Sequence, residues 1–70
     1  MTYQYVIVWV RNGQDNVFWS NGVWIKDPEG AEEHYYSTAM KVIWRELEPP
    51  IEGRYTAVPK FVFTDPDPSA

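Results

Sequence analysis

His34 is the single histidine of this 70-residue chain, and cysteine is absent. The groups nearest to it in sequence that can move a proton are Glu32 and Glu33. Adjacent positions diverge on a helix, so the three do not converge on one atom as acid-base catalysis requires. His34 therefore reads as a solvated histidine on a helix face. Zinc needs three or four nitrogen, sulfur or oxygen ligands, and one His without any Cys offers no such set, so neither metal nor cofactor is expected. Ser20, Ser37 and Ser69 have no neighbouring base, and the lone Gly30 is not a phosphate-cradling loop. The expectation is a protein that is not an enzyme.

The chemistry left is recognition, and two residue classes carry it. Six basic against ten acidic residues give a net charge of −4, the wrong sign for neutralising phosphates, so direct nucleic-acid binding is not expected. Asp27, Glu29, Glu32 and Glu33 fall at a predicted helix start, where the dipole favours acids. Glu46 and Glu48 fall at its end, where the dipole disfavours them, with Glu52 just beyond. They read either as a solvated surface or as a surface that imitates nucleic-acid charge toward a basic partner. Four Trp, five Tyr and three Phe are the second class. Tyr3, Tyr5 and Trp9 share one face of the first strand, and Trp19 and Trp24 extend that patch; aromatics of this kind dominate interface energetics. The candidate partner-binding residues are thus Tyr3, Tyr5, Trp9, Trp19, Trp24, Glu46, Glu48 and Glu52.

The elements that must position these residues follow from periodicity and turn chemistry. Residues 2–10 alternate Tyr3, Tyr5, Ile7 and Trp9 with Gln4, Val6, Val8 and Val10, which predicts a strand with two apolar faces. Which of those faces meets the helix is open in the pattern. Residues 11–16 hold Asn12-Gly13 and predict a reversal. Residues 17–26 resume strand character around Ser20-Asn21-Gly22, read as a tight turn between two short strands, with a bulge in one longer strand as the alternative. Asp27-Pro28-Glu29 is a helix-start signal, and Pro49-Pro50 forces a stop, so a long helix over 28–48 is expected. At 100° per residue its buried stripe is Tyr36, Ala39, Met40, Ile43 and Leu47, flanked by Tyr35, Val42 and Trp44. Residues 53–64 predict a further strand that Pro59 places at an edge, kinks or breaks. Residues 65–70, with two prolines and no apolar anchor, predict a disordered tail.

One domain over 1–64 results: α+β, a small antiparallel sheet of three or four strands packed on one long helix, in the order β-β(-β)-α-β. In size, acidity, lack of cysteine and element order the chain resembles small inhibitors encoded by phages and mobile elements, including anti-CRISPR proteins and small polymerase inhibitors. That resemblance implies stoichiometric binding to a bacterial nucleic-acid-binding complex, blocking its nucleic-acid site or a required motion, and carries over no individual residue. The alternative is a host accessory protein that homodimerises through the aromatic strand. With no apolar run near the roughly 20 residues of a membrane span and no secretory signal, no membrane association and a cytoplasmic location are expected.

Overall fold

A computed structural model of the protein describes residues 4–64. Four strands form one antiparallel sheet: β1 (Tyr5–Val10), β2 (Val17–Ser20), β3 (Val23–Ile25) and β4 (Arg54–Pro59), in spatial order β3-β2-β1-β4. Among the described residues two short α-helical elements, α1 (Tyr36–Lys41) and α2 (Phe61–Thr64), stand beside a 3-10 turn and a π-helical segment. The expected α+β class and antiparallel sheet are present, and β2 and β3 are indeed two strands. Asn21 (φ 48°) and Gly22 (φ 85°) both take positive φ between them, the type I′ geometry that matches strand twist in a two-residue hairpin. Asn12-Gly13 belongs to a longer reversal, residues 11–16, between β1 and β2.

The long helix expected over 28–48 does not form. Its start signal works locally: the Asp27 carboxylate accepts from the Glu29 amide at 3.0 Å and Pro28 opens a helical turn, but that turn is a single 3-10 turn ending at Gly30. The next residues are claimed by the sheet. β2 departs at the Asn21 turn, leaving the main chain of Tyr5 without a neighbour on that side. His34 supplies one: its amide donates to the Tyr5 carbonyl at 2.8 Å, and the Tyr5 amide donates to the His34 carbonyl at 2.7 Å. Only after this bridge does α1 begin. It continues as a π-helical segment, Val42–Glu46, closed by the Leu47 amide on the Val42 carbonyl at 3.1 Å. The helical unit thus spans 36–46.

The bridge takes the chain from one side of the sheet to the other, and both sides are covered. On one side Val6, Val8, Phe18 and Ala31 form a buried cluster, joined by Val10, Ile25, Val58 and Phe63. The segment after the 3-10 turn and α2 close it. On the other, Ile7, Ala39 and Val42 are buried among Tyr5, Trp19, Trp24, Ile43, Leu47 and Ala57. The helical unit therefore packs on the Tyr/Trp side, and the valine side is core as well. No bare aromatic sheet face is left for a partner among the described residues. The helical stripe shifts accordingly: Ala39 and Val42 are the buried positions, whereas Tyr36 is 53% exposed and Trp44 78% exposed. Tyr36 opens α1 directly after the bridge segment, with no preceding turn of helix beside it, and from Val42 onward the π segment winds differently from 100° per residue.

β1 lies between β2 and β4, so neither of its edges is available to a second chain. The aromatic side of this strand, through which the homodimer alternative would act, is packed against the helical unit. β4 is an edge strand, one of the three outcomes the proline allowed; the strand expected over 53–64 stops at Pro59, and Phe61–Thr64 is helical instead. Its entry is tight: Gly53 has φ 71°, and a Cβ there would stand 2.0 Å from the Val10 carbonyl oxygen. Tyr3 and the expected tail 65–70 lie outside the described residues. Among the described residues no helix is long and apolar enough to cross a membrane.

Candidate partner-binding groove

Ring packing organises the helix side of the sheet. Trp19 and Trp24 are cross-strand partners on β2 and β3, with ring centroids 5.1 Å apart. Trp24 reaches further, lying 5.5 Å from Trp9 and stacking on Tyr55 of β4 at 5.5 Å with an interplanar angle of 19°. Trp9 is held from two directions: its indole N–H donates to the Glu52 carbonyl at 2.8 Å, and the Arg11 guanidinium lies 4.5 Å from its ring centroid. Tyr5 packs edge-on to Tyr36 at 5.1 Å. All five aromatics, Tyr5, Trp9, Trp19, Trp24 and Tyr55, are half-buried. Their rings serve each other and the helical unit before any partner.

The sheet's aromatic row ends at Tyr55, and there an open groove of about 260 Å³ begins. Ile43, Trp44 and Leu47 form its helical wall, Pro49 and Pro50 its far wall, and Tyr55 comes from β4. The Tyr55 hydroxyl donates to the Glu48 carbonyl at 2.8 Å, fixing the connecting segment above the strand. The prolines that end the helical unit also make this wall stiff, since their φ is locked. Trp44 is the exposed member, and its indole N–H has no hydrogen-bond partner among the described residues. Beyond the groove Ile51 is 94% exposed. An apolar cleft with one free N–H donor on its rim suits an aliphatic or aromatic side chain and a neighbouring carbonyl.

The three candidate acids fall around this end of the molecule with different roles. Glu48 lines the groove and Glu46 is exposed at the end of the helical unit. Glu52 is engaged, accepting from the Gln14 side-chain amide at 3.3 Å while its carbonyl holds Trp9. The lining of the groove is otherwise apolar, Glu48 being its one charged residue. This favours a discrete apolar contact with local charge over imitation of a polyanion. His34 lies elsewhere, its Nε2 3.6 Å from a Glu32 carboxylate oxygen. Among the described residues no group of three or more His, Asp or Glu side chains is placed to hold a metal ion.

The candidate residues are therefore divided. Trp9, Trp19 and Trp24 are gathered into one cluster, Tyr5 sits apart with Tyr36, Glu48 lines the groove and Glu46 is exposed at the end of the helical unit. Trp44, Tyr55 and Pro49-Pro50 line the groove but are not among the candidates the sequence offers. Trp44 looked like a flank of the buried stripe, and only the exposure of that large ring at the helical stop would have marked it. The chain matches no protein-family model, no curated protein and no solved structure.

Proposed function

We propose that this chain is a non-enzymatic protein-binding module that works by stoichiometric occupancy, its groove taking an apolar side chain of a partner. The observation that carries this reading is Trp44, 78% exposed on the wall of an apolar cleft. Exposing an indole to water has no benefit for the fold, and Trp is the side chain most enriched where binding energy concentrates. Glu48 in the same cleft, on a chain of net charge −4, favours a partner whose surface is basic. A bacterial nucleic-acid-binding complex offers such a surface, and the resemblance to phage- and mobile-element-encoded inhibitors supports that class of target. Occupying it would block nucleic-acid access without any chemistry.

The test uses the immobilised protein and bacterial lysate, comparing wild type with Trp44→Ala and with Glu46→Lys/Glu48→Lys. A partner captured by wild type should be lost with Trp44→Ala and weakened by the charge reversal, while all three proteins melt alike. The captured complex should lose nucleic-acid binding when wild-type protein is added. Equal capture by all three proteins would remove the groove from the reading, and an unaffected complex would remove inhibition.

A further inference from the structure

The edge of the sheet and the groove meet at one residue. In the β1–β4 ladder Val6 faces Val58, Val8 faces Thr56 and Val10 faces Arg54. The Lys60 amide donates to the Gln4 carbonyl at 2.9 Å, while Tyr5 turns its own main chain to His34 on the other side of β1. Bonding groups alternate along an antiparallel pair, so Arg54, Thr56, Val58 and Lys60 turn theirs toward β1. Tyr55, Ala57 and Pro59 turn theirs outward. No main-chain hydrogen bond reaches the outward groups of Tyr55 or Ala57 among the described residues. The edge thus offers two N–H donors and two carbonyl acceptors, at Tyr55 and Ala57, and ends at Pro59, which has no N–H. Tyr55 belongs to both features: its ring lines the groove and its main chain opens the edge.

We infer that the partner binds as an extended peptide segment added alongside β4, with one apolar side chain seated in the groove and a Lys or Arg beside it facing Glu48. This rests on the partner-binding reading above and specifies its form. Strand addition takes affinity from main-chain hydrogen bonds and selectivity from pockets that read alternate side chains, and both halves are present here side by side. The charge of the rim decides the occupant. Side chains alternate along a strand, so Arg54 leaves β4 on the face opposite Tyr55 and Glu48 is the charged group at the groove itself. A second copy would bring another net charge of −4 and another Glu48 to the same edge, whereas a basic, apolar peptide brings the complement.

The probe is the tightest peptide selected from a displayed random library on the intact protein. It should carry an apolar residue next to Lys or Arg, and it should bind Trp44→Ala at least roughly ten-fold more weakly. N-methylating its alternate residues in one parity should weaken binding roughly ten-fold or more, and in the other parity by less than about two-fold, because only one set faces the edge. The Tyr55 and Ala57 amides should gain protection from hydrogen exchange in the complex. A peptide that needs Trp44 but tolerates N-methylation in both parities would overturn strand addition and leave the groove reading standing. A library that yields no peptide overturns both. Protection of the same amides that grows with protein concentration alone, together with a dimer in sedimentation, would give the edge to a second copy and overturn the inference.

Discussion

The Tyr55 hydroxyl and the Glu48 carbonyl, 2.8 Å apart, join the sheet edge to the segment that follows the helical unit. This single bond holds the far wall of the groove over the strand. Tyr55→Phe keeps the ring and removes the donor. Because the site is partly wet, the expected loss of stability is about 0.5–1.5 kcal/mol in a denaturant melt. Binding of a groove ligand should weaken by more than that loss implies, since the wall is freed to move.

Trp44 and Ile7 should separate binding from folding. Ile7 is fully buried between the sheet and the helical unit, and Ile7→Ala should cost about 2–5 kcal/mol. Trp44→Ala, at an exposed position, should change stability by no more than about 0.5 kcal/mol. Thermal melts of the two variants check this, and a large loss for Trp44→Ala would make that side chain structural.

Gly53 and Gly13 share a positive φ, 71° and 75°, but differ in surroundings. Gly13→Ala meets open space and should cost only the left-handed backbone penalty, about 1–2 kcal/mol. Gly53→Ala adds a collision with the Val10 carbonyl, so it should cost clearly more and disturb the start of β4. Similar melting temperatures for the two variants would contradict the close approach.

Lys60 ties the 3-10 turn segment to the end of β4. Its ammonium donates to the Glu29 carbonyl at 3.0 Å and lies 3.5 Å from a Glu33 carboxylate oxygen. The lysine side chain is largely covered but Glu33 is half-open to solvent, which screens the pair. Lys60→Met should therefore cost about 1–2 kcal/mol and speed hydrogen exchange at Ala31, whose methyl helps close the valine-side core. Unchanged exchange at Ala31 would place the restraint elsewhere.

Local signals in the sequence were sound where neighbours decide the outcome. Asn21-Gly22 specifies its turn, Pro59 its edge, and Asp27-Pro28 its helical turn. The length of the helix was not local information. Residues 31–35 are drawn from it because Tyr5, far away in sequence, has main-chain groups that β2 abandons, and His34 satisfies them. Trp44 was misplaced for a related reason: the π segment re-aims side chains relative to the stripe that α-helical spacing implies. The aromatic cluster was legible as a patch, yet its rings turned out to face the helical unit. Which surface stays open could be read only once both sheet faces had found their covers.

The pairing of β1 with β4 has a consequence for how the protein is made. β1 leaves a ribosome before β4, which flanks it in the sheet and comes 44 residues later in the chain, counted from Val10 to Arg54. Until β4 emerges, Tyr5–Val10 is a run of six uncharged, aromatic and β-branched residues, free of proline and glycine, with one edge lacking its native neighbour. Segments of that composition are the ones that self-associate when left unpaired. The nascent chain cannot complete its sheet until β4 has emerged, so its safety rests on fast closure at that point, or on a chaperone that shields one strand until the other arrives.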